Sequence, residues 1–483
     1  MDEPNFPLRR KGLVNLPGIT PDAKRLVEIL LSQSAQRHHC FFQASGVHNH
    51  LNHHLLAAYD LGASPSLLQQ IYDEEERIQR PIYLDDAGQS ISITEEIWTQ
   101  YIQNPSAYAS FVQFFLKQIK GLGKKGTIEK YIFSPEANDG GLVMLVRFVS
   151  GGLHPFIQVG YGAEFGSDIM IATGLAQTAV HHALPPSIFN LDCTADEVSD
   201  GISFLEVLRC VYDSEVLQPP MPYDPNGSFK QRQEAIVDGV RDHEIHRICS
   251  LYKINASTNE SLQRHVEEFI WTSTLLVFST GVKEGKAPRI DFFLMHLLTS
   301  SLFLPSLFDI MVNPTHKCML IRAYVSITIF YTLASGRPRI NPGLLMSYSQ
   351  YPRPPASFLH LPYDDPVQKS LRNREYNPWP KMLEAVVFHP DAHTTKVLRT
   401  LAFAAQHYGH TPPGHPIGCV GSHTANSEEK EIHLGSLIMD GTIFVRAAGV
   451  LMDYMGWVTY GQRARDDWDR TGLGWNAAWD DEN

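Results

Sequence analysis

Four of the 22 histidines in this 483-residue chain fall within seven positions, in HNHLNHH at residues 48–54. A neutral imidazole offers a nitrogen lone pair near physiological pH, so clustered histidines point to metal ligation or to proton transfer. A helix drawn through 48–63 gathers Leu51, Leu55, Ala58, Tyr59 and Gly62 on one face. His50 and His54 then lie one turn apart on its edge, with His53 opposite, beside Asn49, Leu56 and Asp60. Two imidazoles four residues apart can share one metal ion above the same turn. An isolated pair of this kind is more often the polar rim of a helix; further histidines in apolar company change that balance. His154 follows a glycine pair and precedes a proline in GGLHPFIQVGYGAEFG, where the backbone should kink and fix the side chain. His296 stands among Phe, Leu and Met in DFFLMHLLTSSLF. Burying several imidazoles costs desolvation that a shared metal ion would offset.

Lys396 projects from an otherwise apolar helix in DAHTTKVLRTLAFAAQHYG, 391–409. The ordinary fate of such a lysine is exposure or a salt bridge. Burial would instead depress its pKa, and a neutral amine can take up carbon dioxide to become a carbamate, an anionic oxygen ligand. Other motifs fail on context. GLGKKG (121–126) follows a helical rather than a strand pattern, so it is no dinucleotide fingerprint. HEIH (243–246) lacks the HExxH spacing. HPD followed by His393 resembles a facial triad only superficially, because it precedes a helix in which Asp391 suits the N-cap.

The elements that must position these residues are helical. PDAKRLVEILLSQSAQ (21–36), SPSLLQQIYDEEERIQ (64–79), PSAYASFVQFFLKQIK (105–120) and SLQRHVEEFIWTSTLLVF (261–278) repeat apolar residues at three- and four-residue steps, several behind a Ser/Thr cap and a proline. The fold expected is mainly α, one large multi-helix enzyme domain in which two lobes remain open. The short runs GLVMLVRFV (141–149) and GTIFVRAAGV (441–450) are the only strand candidates and do not alternate cleanly. YSQYPRPPASFLHLPYDDP (348–366) reads as a loop. The organisation expected is an N-terminal arm (1–20), a catalytic domain (21–460) and an acidic, loosely docked, Trp-bearing tail (461–483).

A net charge of −12 with no basic run longer than the three residues Arg9–Arg10–Lys11 argues against nucleic acid and anionic membrane as partners. The most lipophilic segment, 292–312, is broken by His296, Pro305 and Asp309 and reads as a buried helix pair. Six cysteines without CxxC spacing favour a reducing, cytoplasmic setting.

Five blocks in order, HNHLNHHLLAAYDLGAS, GGLHPFIQVGYGAEFG with IATGLAQTAVHH, DFFLMHLLTSSLFLP, RAYVSITIFYTLASGRP and HTTKVLRTLAFAAQHYG, lie between residues 40 and 410. Together they resemble the fungal questin oxidase-like proteins of aromatic polyketide pathways. The resemblance implies an oxidoreductase that uses dioxygen for Baeyer-Villiger-type oxygen insertion or ring cleavage of an anthraquinone-like polyketide, as a mono- or dioxygenase. It also implies a use for NADPH. Without a dinucleotide fold or the FxGxxxHxxxW pattern of flavin enzymes, a non-haem Fe(II) centre is the economical way to activate dioxygen. The ligand set expected on that basis is His50, His54, His154 and His296 with Lys396 as its carbamate; His181 and His393 are in reserve. His154, His296 and Lys396 carry the catalytic expectation. Tyr161, Phe292 and Phe293 are candidates to line an apolar substrate pocket. Two rival classes are a metal-free NADPH-dependent oxygenase, in which the histidines act as acids and bases, and a non-catalytic helical binding protein.

Overall fold

The computed structural model describes residues 7–44, 46–192, 201–355, 376–421 and 431–480. Among them are twenty α-helices and no strand, and pairing outside the helices is confined to four isolated bridges. The architecture is mainly α. The periodic segments form helices Pro21–Arg37, Pro65–Glu76, Tyr108–Ile128 and Asn259–Phe278. Thr20, Ser64 and Thr258 accept from the backbone N–H three residues on, which satisfies amides the first turn would leave bare.

Both strand candidates are helical, Met144–Val149 and Ile443–Met455. A continuous apolar run marks complete burial but not its period, and both segments are buried on nearly every side. The lipophilic segment is the expected pair, Phe292–Ser301 and Leu304–Ile310, bent by 44°. GLGKKG lies inside the Tyr108–Ile128 helix, which kinks at Gly123. Of 348–366, the part up to residue 355 holds no helix beyond Ser347, and the remainder lies outside the described residues. Among the described residues one single helix, Pro314–Ala334, is long and apolar enough to cross a membrane; 89% of its apolar window is buried in this protein's own core. Among the described residues no cysteine pairs in a disulfide.

Four helices position the clustered histidines and Lys396: Leu51–Asp60, His154–Phe165, Phe292–Ser301 and Ala392–Tyr408. The second packs closely on Asp168–Val180. The approach is set by glycines, since a Cβ on Gly162 would stand 2.7 Å from the Ile171 nitrogen and one on Gly174 2.8 Å from the Val159 nitrogen. Residues 8–15 lie across the ends of these helices, with Leu8 and Val14 buried. The segment 461–480 is not loosely docked. Trp468, Leu473 and Trp479 are buried, and Arg289 pairs with Asp469 at 2.5 Å. The acidic residues of this segment conceal an apolar face built on three indoles, which charge composition alone does not show.

Gly162→Ala should force backbone apart at that crossing and lower stability by about 1–3 kcal/mol, as overpacking does. A melting temperature equal to that of the parent would show that the glycine is not needed for close approach.

Candidate metal centre

His50, His154, His296 and His393 each place one ring nitrogen so that all four lie within 4.8 Å of one another. They come from four helices, each near its amino end. His50 is the N-cap of Leu51–Asp60, His154 the first residue of its helix, His296 the fifth, and His393 the second.

Local sequence explains why these ends are held. Gly151, Gly152 and Leu153 all adopt positive φ (59°, 66° and 58°), turning the chain sharply into His154. Glycine is the residue that tolerates this conformation, and it leaves room for rings. A Cβ on Gly152 would stand 3.0 Å from His154 Nδ1. The Asp291 side chain accepts from the amides of Phe293 and Leu294, and Asp391 accepts from those of His393 and Thr394. Both carboxylates cap helices on which a histidine follows within five residues.

The second nitrogen of three rings is tied to an atom that can only accept. His154 Nδ1 donates to the Gly151 carbonyl (2.6 Å), His296 Nδ1 to the Phe292 carbonyl (2.8 Å) and His393 Nδ1 to Asp391 Oδ1 (3.0 Å). Each proton is thereby fixed on Nδ1, and each Nε2 lone pair is turned inward. His296 Nε2 and His393 Nε2 are buried without a hydrogen-bond partner. His154 Nε2 and His50 Nε2 stand 2.8 Å apart, close to the ~3.0 Å separating two nitrogens bound at right angles at about 2.1 Å from one ion. Converging lone pairs, orphaned buried nitrogens and carbonyl or carboxylate partners on the far side of each ring fit a metal ion. They do not suit a structural hydrogen-bond network, which would leave those nitrogens unpaired.

Electrostatics agree. Burial lowers the pKa of His50, His154 and His296 well below the usual histidine value, and the neighbouring histidines and Lys396 oppose protonation in the same sense. His393 is also lowered, by burial and Lys396, against the pull of Asp391. Burial would raise the Asp391 carboxyl, but His393 and hydrogen bonds from His393, Thr394 and Trp468 hold it well below the carboxylate range. Lys396 is 2% exposed, its Nζ has no hydrogen-bond partner, and burial brings its pKa down to about 8.

His50, His154 and His296 thus meet as the sequence suggested, and His393 joins them in place of His54. His54 Nδ1 meets Glu75 at 3.1 Å instead. The i, i+4 argument fails because His50 is outside the regular turn, at φ −109° and ψ −6°, so its side chain leaves the line of His54. The helix is also buried all round, so His53 is not on a far, polar side. It is fully buried against Tyr161, with ring centroids 5.3 Å apart. His181 lies beyond the group, 4.9 Å from the ring of His48, which itself stacks on His154 at 4.9 Å.

A cleft of about 660 Å³ reaches the centre, with His50 and His393 on its floor and Phe42, Val47, Ile78 and Phe292 among its walls. Of the aromatic candidates only Phe292 lines it. Phe293 stacks on Phe229 at 3.7 Å, and Tyr161 lies deeper, beneath Arg399. Sequence reasoning missed Glu75, Asp466 and Arg470 on the cleft wall and the Trp468 indole, which donates to Asp391 Oδ2 at 2.9 Å. The only hint was the tryptophans in the tail.

Fold and site define an all-helical protein with a buried polyhistidine centre open to a partly apolar cleft. A family model described as questin oxidase-like matches residues 47–401, and the chain belongs to that family of oxidoreductases. It is 27% identical over 408 residues to a questin oxidase of Aspergillus fumigatus, covering 82% of this chain and 85% of that protein. It is 27% identical over 383 residues to the Baeyer-Villiger oxidase ptaJ of Pestalotiopsis fici, covering 77% and 78%. It is also 30% identical over 302 residues to the Baeyer-Villiger monooxygenase dmxR6 of Cryptosporiopsis sp., covering 60% and 65%. All four histidines and Lys396 lie inside the family match; residues 461–480 lie outside it.

The lowered histidine pKa values set a pH dependence for the metal-free protein. Unfolded histidines bind protons below about pH 6.5 while the folded ones resist. The stability the histidines contribute should therefore be full above about pH 6.5 and decline as pH falls below it. Lys396 acts in the same sense at higher pH, adding stability as pH rises from about 8 towards 10.5. Chemical denaturation of chelated protein between pH 5 and 7 checks the first window; a stability that rises on acidification would contradict the buried neutral cluster.

Proposed function

We propose that this protein uses dioxygen to insert oxygen into, or cleave, a ring of an anthraquinone-like aromatic polyketide at a non-haem iron centre. The iron would be held by His50, His154, His296 and His393 with Lys396 as its carbamate. The observation that carries the reading is the convergence of four neutral imidazoles beside one buried, unpaired lysine. The names of the relatives, questin oxidase and Baeyer-Villiger oxidase or monooxygenase, support the reaction class.

Bound Fe(II) would supply the activation of dioxygen that singlet organic substrates need. The chain's own residues do the rest. Gly151, Phe292 and Asp391 fix three ring orientations from behind. Phe42, Val47, Ile78 and Phe292 offer apolar surface to a flat ring system and keep water from one side of it. At its lowered pKa a useful fraction of Lys396 is neutral at physiological pH. Its Nζ forms a bond to the carbon of carbon dioxide and releases a proton to solvent, giving an anionic carbamate beside the four rings. NADPH enters the proposal as an external source of electrons for the substrate or the metal.

Purified protein should hold close to one iron per chain, and His154→Ala or His393→Ala should lose it while His54→Ala retains it. Lys396→Ala should lose iron or turnover, with partial rescue by formate or acetate, and reconstitution without carbon dioxide should be restored by bicarbonate. With an anthraquinone-like polyketide, label from ¹⁸O₂ should enter a lactone or ring-opened product. Label entering from water alone, or full activity after rigorous chelation, would overturn the reading.

A further inference from the structure

Two consecutive residues of the C-terminal segment hold the amino ends of two histidine-bearing helices. The Trp468 indole, 3% exposed, donates through Nε1 to Asp391 Oδ2 at 2.9 Å, and its ring lies 6.1 Å from that of His393. Asp469 pairs by backbone with both sides of Asp291, its N–H donating to the Ile290 carbonyl (2.8 Å) and its carbonyl accepting from Phe292 N–H (2.7 Å). Asp291 caps the helix of His296, and Asp391 caps the helix of His393. The carboxylate of Asp469 is itself held by Arg289 and by the amide and hydroxyl of Thr471.

Asp391 is the only acidic side chain hydrogen-bonded to a ring of the four-histidine group among the described residues. Its two oxygens have separate tasks. Oδ1 takes the His393 amide and His393 Nδ1; Oδ2 takes the Thr394 amide, the Thr394 hydroxyl and the Trp468 indole. The helix amides alone would allow the carboxylate to rock about its last side-chain torsion. A rigid indole, anchored from outside the helix, removes that freedom and so fixes the direction in which Oδ1 meets His393 Nδ1. Orientation of a ligating imidazole by the group behind it is what sets donor direction and tautomer.

We propose that the strap Trp468–Asp469 is a built part of the metal centre, with Trp468 as a positioning residue that locks Asp391 and, through it, His393. The inference rests on the four-histidine reading of the site. It also places a residue beyond the stretch matched by the family model in the support of the site.

Binding of Co(II) to the chelated full-length protein, followed by its visible spectrum, tests this without turnover. Trp468→Phe should weaken Co(II) binding about tenfold, and Asp391→Asn should weaken it as well. Because both act along one path, the double variant should be no weaker than Asp391→Asn alone. Trp479→Phe removes another buried indole of the same segment, one that donates to the Leu473 carbonyl rather than to the site. It should bind Co(II) like the parent. In the parent itself, labelled with ¹⁵N at its seven tryptophans, Zn(II) should shift the Trp468 indole N–H, which keeps the test open if Trp468→Phe fails to fold. Unchanged affinity in Trp468→Phe, equal loss in Trp479→Phe, additive losses in the double variant, or an indole spectrum indifferent to Zn(II) would each overturn the proposal. A parent protein that binds neither metal would overturn the four-histidine reading and this inference together.

Discussion

A buried ion triad fixes the frame on which the four-histidine site stands. Arg399 is wholly buried; its Nε meets Asp60 Oδ2 at 2.8 Å, and its Nη2 bonds Glu164 Oε1. Asp60 ends the helix that His50 begins, Glu164 sits ten residues along the helix that His154 begins, and Arg399 follows Lys396 by three residues on the helix of His393. At 1.5 Å per residue the first two acids lie about 15 Å from their histidines. Three helices are thus pinned at one level by charge and meet at another through imidazole. Backbone amides of the arm add to the same carboxylates, with Leu13 donating to Glu164 Oε1 and Val14 and Asn15 to Asp60. Removing one member of such a cluster leaves a buried charge unpaired, at a cost of about 3–5 kcal/mol. The triad accordingly makes the relative height and rotation of three site helices hard to change, and that is the requirement for four nitrogens to share one point.

How much of this was legible in the sequence depended on the range of the interaction. Helix caps are written locally, so Thr20, Ser64 and Asp391 announced their elements, and the Gly-Gly before His154 announced the kink. Burial and helical period together marked His154, His296 and Lys396 as odd residues in apolar company. The choice between His50, His53 and His54 was not legible, because it turns on backbone angles at a helix end and on Glu75, contributed by another helix. His393 is masked by its neighbour. Asp391 does cap the helix, yet the same carboxylate also faces the ring two residues on. The indole-rich tail misleads because its exposed acidic residues hide its buried indoles, and the two apolar runs that resemble strands mislead because both are enclosed. A segment surrounded by protein on all sides shows neither period nor polarity in its own residues.

The charges near the centre explain why a lysine belongs among histidines there. Four helices present their amino-terminal halves to the site, so their macrodipoles add positive potential there before any ion arrives. That field, with burial, keeps the imidazoles neutral, and neutral rings bring no charge to offset a divalent cation. Asp391 supplies one negative charge behind His393. A protonated Lys396 would cancel it and leave the buried cluster doubly unfavourable for a cation. The proposed carbamate would reverse the sign at the same position, so that together with Asp391 it would match two positive charges. The same field that disfavours the ammonium form favours the anionic product of its reaction with carbon dioxide. On this account the depressed lysine pKa, the unpaired nitrogens and the capped helix ends are consequences of one arrangement, the convergence of helix amino termini on a buried point.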